Sequence, residues 1–149
     1  MEIKLNINGK SYKGKASGNM MLLEFLRSLG FKSVKRGCDT SNCGLCTVWV
    51  DEKPVLSCTY PAIRADGHSV TTIDGLQQEA AEFAEFMANE GAEQCGFCSP
   101  GFIMSVLALK KEIPNPSEEQ IKEYLAGNLC RCTGYVSQLR AIKKYLGGK

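Results

Sequence analysis

Residues 37–48 read Gly37-Cys38-Asp39-Thr40-Ser41-Asn42-Cys43-Gly44-Leu45-Cys46-Thr47-Val48, and with Cys58 they place four cysteines in the spacing C-x4-C-x2-C-x11-C. This is the plant-type arrangement of thiolates around a 2Fe–2S cluster. Three ligands drawn from one loop must wrap an anionic group, so the loop's amides have to turn inward toward the sulfurs. Gly37 and Gly44 are expected to supply the unusual φ values that such wrapping needs. Cys58 then closes the site from the far end of a strand around Val55.

Upstream, Ile3, Leu5 and Ile7 alternate, Asn8-Gly9 is a strong hairpin turn, and the pattern resumes through Ser11 and Tyr12. Leu22, Leu23, Leu26 and Leu29, closed by Gly30, have the spacing of a short helix face with a C-terminal glycine cap. Downstream, Thr47–Val50 and Val55–Ser57 read as two strands around the turn Asp51-Glu52-Lys53-Pro54. A short helix or turn is expected near Ala62–Ala65 and another strand at Val70–Ile73. The first half is thus a small mixed sheet with one packed helix, assigned to residues 1–74.

From about Gly75 the alternation gives way to helical spacing, at Phe83, Phe86 and Met87, then Phe102, Val106 and Leu109, then Ile121, Tyr124 and Leu125, then Leu139, Ile142 and Leu146. Four helices are expected over residues 75–149. Ser117 with Gln120 forms a capping box for the third, and Pro114 and Pro116 separate it from the second. The fold class is α+β, a sheet domain followed by an all-α four-helix domain.

The helical half carries the other four cysteines. Cys95 and Cys98 form C-x2-C directly before the second helix, and Cys130 and Cys132 form C-x-C directly before the fourth. Helix, pair, helix repeats twice, which points to a pseudo-two-fold bundle. Its four thiolates would converge between helix N-termini, where free N–H groups favour an anionic cofactor. A second cluster fits there.

Zinc also takes four thiolates and often uses C-x2-C pairs, so it stays an alternative for both quartets. A Rieske centre is excluded, because it needs two histidines and the 149-residue chain has one, His68. The opening MEIKLNINGK lacks the apolar core of a secretory signal, so the chain is read as cytoplasmic, where disulfides do not persist. Eight cysteines in such a chain call for metal or redox chemistry.

Composition narrows the partners. Eighteen basic against sixteen acidic residues are interspersed without a basic stripe, which leaves no footprint for nucleic acid. No apolar run approaches the ~18 residues of a membrane span. The formal charge of +2 treats every cysteine as neutral, and two oxidised clusters of about −2 each would bring the chain to about −2.

The stretches Gly37–Val48, Gln94-Cys95-Gly96-Phe97-Cys98-Ser99-Pro100-Gly101 and Gly127-Asn128-Leu129-Cys130-Arg131-Cys132-Thr133-Gly134-Tyr135 together resemble the iron–sulfur subunit of the xanthine oxidase family of molybdenum hydroxylases. Three motifs in order cover nearly the whole chain. The resemblance implies a ferredoxin-like (β-grasp) N-terminal domain, a four-helix C-terminal domain and two 2Fe–2S clusters. It also implies a molybdopterin-binding large subunit, an FAD-binding medium subunit and a dimer of such heterotrimers. In that family the molybdenum centre hydroxylates a heterocycle such as a purine, or an aldehyde. The implied electron path runs to the helical-domain cluster, then the ferredoxin-like one, then FAD. By the same resemblance Gln94, with a ligand sulfur of the Cys130/Cys132 pair, approaches the pterin. Leu45 stands where relatives often carry a smaller residue, which would change packing over the first site without touching ligation.

The remaining candidates have plain readings. His68 is expected as a solvated or capping side chain, Trp49 as core or interface packing, and Phe83, Phe86 and Met87 as bundle core. Arg131 between two ligands would offset cluster charge, meet a partner or stay solvated, and Lys143-Lys144 would be a solvated helix face. No catalytic triad, phosphate loop or carboxylate dyad is present. A free ferredoxin-type carrier and a zinc-stabilised interaction module are the competing functions.

Overall fold

A computed structural model describes residues 1–147. Five strands form one mixed sheet: β1 (Glu2–Ile7), β2 (Lys10–Lys15), β3 (Thr47–Val50), β4 (Lys53–Leu56) and β5 (Ser69–Thr71), in the order β2-β1-β5-β3-β4. β1 and β2 are the hairpin expected at Asn8-Gly9, both residues taking the positive φ of a tight turn (52° and 80°). β1 then pairs in parallel with β5, Ile7 opposite Val70.

The turn after β3 is shorter than its sequence implied. Asp51 and Glu52 alone make it, at φ of 48° and 66°, and Lys53 and Pro54 already belong to β4. β4 is an edge strand, where a missing N–H costs no ladder bond. Asp51 holds the turn by accepting from the Ser69 amide at 3.0 Å and pairing with His68 Nδ1 at 2.5 Å. His68 is therefore a surface partner of a turn.

Helix α1 (Leu22–Ser28) has seven residues, too few to stand alone in water. Its buried Leu22, Leu23, Phe25 and Leu26, worth ~2 kcal/mol each, hold it against Ile3, Leu5, Ile7 and Val70 of the sheet. A Cβ at Gly14 would lie 2.9 Å from the Phe25 ring, so glycine lets the helix approach β2 closely. The Glu24 carboxylate accepts from the Met21 amide at 3.1 Å, and Gly30, at φ 97°, ends the helix.

The four expected helices follow: α2 (Gln77–Asn89), α3 (Ser99–Glu112), α4 (Glu118–Leu125) and α5 (Val136–Tyr145). α3 is central and buried from Phe102 to Leu109, because it packs on α2 and α4 and on strands β3 and β4. Phe83, Met87, Phe102, Leu109 and Ile142 fill the bundle, with Phe86 packed at its margin. Ser117 and Gln120 cap α4 reciprocally, at 3.2 and 2.8 Å.

The halves meet over buried side chains. Trp49 of β3 belongs to the helical core, where its indole N–H donates to the Met104 carbonyl at 3.0 Å. Within the sheet half Asn8 and Thr72 exchange two 2.9 Å hydrogen bonds, and across the boundary a Cβ at Gly75 would lie 2.4 Å from Asn8 Oδ1. Lys143 and Lys144 do more than solvate a helix face. Lys143 pairs with Glu118 at 2.8 Å, and Lys144 pairs with Glu90, which also accepts from Arg140.

Candidate metal centres

Cys38, Cys43 and Cys46 lie on the loop between α1 and β3, and Cys58 follows β4. In this loop Gly44 has the left-handed φ expected, 74°, and Ser41 shares it at 61°. Gly37 does not. Its role is space, because a Cβ there would sit 2.6 Å from Leu45 Cδ2 and 3.2 Å from Cys43 Sγ.

The thiols meet two by two. The Cys43 thiol donates to Cys38, which also receives the amides of Asn42, Cys43 and Thr40, and together these hold the Cys38 thiol down to about 6. Burial, first, pushes Cys43 up. Burial likewise pushes Cys46 up to about 11, with the Cys58 thiol as its sulfur partner. In the Cys38/Cys43 pair a sulfur held low therefore sits beside one that burial pushes up.

The second quartet pairs in the same way, crosswise between its two motifs. Burial, then the neighbouring Cys130, pushes Cys98 up to about 12. At Cys130 burial works in the same direction, yet the Thr133 hydroxyl at 3.2 Å and amide at 3.5 Å outweigh it and hold that thiol below its ordinary range. Cys132 is raised by its hydrogen bond with the Cys95 thiol. Cys98 caps α3, as the spacing implied. Cys130 and Cys132 do not sit directly at the next helix, however: Thr133, Gly134 and a left-handed Tyr135 (φ 71°) intervene before α5. That detour lets the Tyr135 hydroxyl accept from the Cys130 amide at 3.0 Å.

The two quartets share a cavity of about 430 Å³, lined by all four helical-domain thiols together with Cys38, Cys43 and Leu45. Their loops are joined by backbone. The Leu129 amide donates to the Cys43 carbonyl at 2.8 Å, and Asn128 Nδ2 reaches the carbonyls of Gly44 and Gly101 at 3.3 and 3.4 Å. A Cβ at Gly101 would lie 2.4 Å from the Gly44 carbonyl oxygen, so only glycine permits this approach. Leu45 is buried there between Gly37 and the Gly101 turn. Sequence reasoning missed this clasp, because no motif signals contact between loops so far apart in the chain. Gln94 is exposed beside Cys95 at the open rim, and Arg131 lines the shared cavity.

The donor set suits a dinuclear iron–sulfur group. In such a cluster each iron takes two terminal thiolates, which is how these sulfurs are grouped, and inward amides neutralise anionic sulfur. A single tetrahedral ion needs all four sulfurs around one point.

Comparison with known proteins adds two family models, a 2Fe-2S iron-sulfur cluster binding domain over residues 5–70 and a [2Fe-2S] binding domain over residues 72–143. The chain is 41% identical to the xanthine dehydrogenase iron-sulfur-binding subunit of Escherichia coli O157:H7, across 89% of this chain and 86% of that protein. It is 38% identical to the nicotinate dehydrogenase small FeS subunit of Eubacterium barkeri, across 95% and 92%. It superposes on a chain of quinoline 2-oxidoreductase from Pseudomonas putida 86 with a TM-score of 0.89 at 36% identity, covering 98% of this chain and 93% of that one.

Proposed function

Because the chain belongs to the iron–sulfur subunits of the xanthine oxidase family of molybdenum hydroxylases, we propose that its eight thiolates hold two 2Fe–2S clusters in the electron path of such a complex. Cys38, Cys43, Cys46 and Cys58 bind one, and Cys95, Cys98, Cys130 and Cys132 the other. The chain is an electron-transfer subunit and not itself the catalyst. Bound in these sites, each cluster accepts and releases one electron at a time. The gathering of all four helical-domain thiols with Cys38 and Cys43 around one cavity is the observation that carries this reading.

The chain's own residues do the rest. The amides of Thr40, Asn42 and Cys43 and the Thr133 hydroxyl hold negative charge on sulfur. Leu45 packs between the two loops. The open rim at Cys95, Cys132 and Gln94 faces the molybdopterin-binding subunit, with Gln94 toward the pterin, and the sheet-domain site faces an FAD-binding subunit. The substrate class is a heterocycle or an aldehyde, and the assembly is a dimer of heterotrimers in the cytoplasm. We assign residues 1–74 to the ferredoxin-like domain and 75–149 to the helical one, residues 148–149 lying outside the described part. Among the described residues no helix is long and apolar enough to cross a membrane.

Metal and sulfide analysis of anaerobically purified chain tests the sites. Four iron and four acid-labile sulfide per chain are expected, with two distinct EPR signals on reduction. Colourless, zinc-loaded protein would overturn both, and two iron per chain would overturn the second.

A further inference from the structure

Tyr135, between the last cysteine pair and α5, has a left-handed backbone, with φ 71° and ψ −25°. For a bulky residue that conformation is uncommon, and such strain persists only where the surroundings hold it in place. Two hydrogen bonds do so here. The Tyr135 amide donates to Thr133 Oγ1 at 3.3 Å, and the Tyr135 hydroxyl accepts from the Cys130 amide at 3.0 Å. The Thr133 hydroxyl in turn donates to Cys130 Sγ at 3.2 Å. Cys130, Tyr135 and Thr133 thus close a ring of three hydrogen bonds that starts and ends on one ligand cysteine.

The ring fixes where the Thr133 proton points. A hydroxyl has one proton to give. Its oxygen already accepts from the Tyr135 amide, in the kind of local turn that Thr side chains make ahead of a helix. Such a turn needs only the oxygen. The proton is aimed at sulfur instead, beside the Thr133 amide, which reaches the same Sγ at 3.5 Å. At the sheet-domain quartet the comparable contact is looser, with Ser41 Oγ 3.8 Å from Cys58 Sγ.

We propose that Thr133 sets the reduction potential of the helical-domain cluster through its hydrogen bond to Cys130 Sγ, and that Tyr135 is the positioning residue that aims it. The proposal rests on the reading that this quartet holds a 2Fe–2S cluster. One-electron reduction makes the ligand sulfurs more negative, so a donor held on sulfur stabilises the reduced state more than the oxidised one. The electron comes from the donor centre of the complex, no bond is made or broken at Cys130, and the proton stays on Thr133. Removing the donor lowers the potential.

Redox titration followed by EPR, on the complex formed with the native partner subunits, tests this. The helical-domain signal is the one that Cys98→Ser abolishes. Thr133→Val keeps the branched shape and loses the hydroxyl. At the wild-type midpoint its ratio of reduced to oxidised helical-domain cluster should fall about tenfold, a downward shift of about 59 mV, while the sheet-domain signal stays in place. Thr133→Ser restores the hydroxyl and should recover most of the shift. Tyr135→Phe loosens the ring and should lower the same ratio about threefold. All three variants should keep four iron per chain. An unmoved helical-domain signal in Thr133→Val, equal movement of both signals, or a shift that Thr133→Ser does not recover would overturn the proposal alone. Where Thr133→Val fails to load its cluster, Tyr135→Phe decides, and an unchanged potential in it overturns the proposal. A wild-type complex with two iron per chain and a single 2Fe–2S signal would overturn the underlying reading with it.

Discussion

The sheet-domain quartet and the helical-domain quartet use the same chemistry under opposite cover. Cys43 and Cys46 are buried and Cys38 and Cys58 half-buried, whereas Cys95 and Cys132 are exposed and only Cys98 and Cys130 are partly covered. The first site is sealed by its own domain, since Cys46 packs in the same core as Leu26, Val48 and Ala62. The second is left open by Phe97, Leu129 and Tyr135, apolar side chains exposed around it. One half is finished by its own folding, and the other is left for the proposed partner to finish.

The largest expected consequence is in how readily iron leaves. In the free chain an iron chelator should strip the helical-domain site at least about tenfold faster than the sheet-domain site, followed by loss of each EPR signal in turn. Assembly with the molybdopterin-binding subunit should abolish the difference. Equal rates in the free chain would remove the contrast, and a persistent difference in the complex would put the open rim on some other face.

Next in size is the clasp between the two. Gly101→Ala sets a methyl against the Gly44 carbonyl and Leu45 Cα, both backbone atoms that have no rotamer to yield. It should destabilise the chain by ~2–4 kcal/mol in denaturant titration. Gly127→Ala, one residue from the same contact but with open space around its Cβ, should cost less than ~1 kcal/mol. Similar losses in both would mean that backbone contact is not what joins the loops.

The smallest effect concerns a surface network of the helical half. Hydrogen bonds from Lys122 and then Lys143 hold the Glu118 carboxyl down to about 2 from its ordinary 4.5. A depressed carboxyl stabilises the fold above its unfolded pKa and ceases to do so as pH falls through its folded one. Glu118→Gln should therefore lower Tm by about 1–2 °C at neutral pH, and the gap from wild type should close between pH 4.5 and about 2. A gap that stays constant across that window would show that charge is not its source.

Most of the local structure was legible because local rules govern it. Asn8-Gly9, Gly30 and the Ser117/Gln120 box each mark an element end through backbone angles or caps that adjacent residues determine. The quartets were legible because cluster ligands keep fixed spacing. What escaped was non-local: the parallel pairing of β1 with β5, the turn of Trp49 into the helical core, and the Leu129–Cys43 hydrogen bond. Gly37 shows a subtler limit. A glycine in a tight loop signals constraint, but whether the constraint is an angle or a neighbour such as Leu45 depends on packing. Gln138 carries no signal in the sequence, and only its packing reveals an unpaired amide.

The bond from the Leu129 amide to the Cys43 carbonyl also bears on the order of events as the chain leaves the ribosome. Gly44 and Asn128, which share the clasp, are 84 positions apart, and Asn8 waits 64 positions for Thr72. All four cysteines of the first site and every strand of the sheet have emerged well before residues 127–132. The surface on which the last cysteine pair docks is thus complete before that pair exists. Domains fold as units in the direction of synthesis, so the early loop can serve as the mould for the late one.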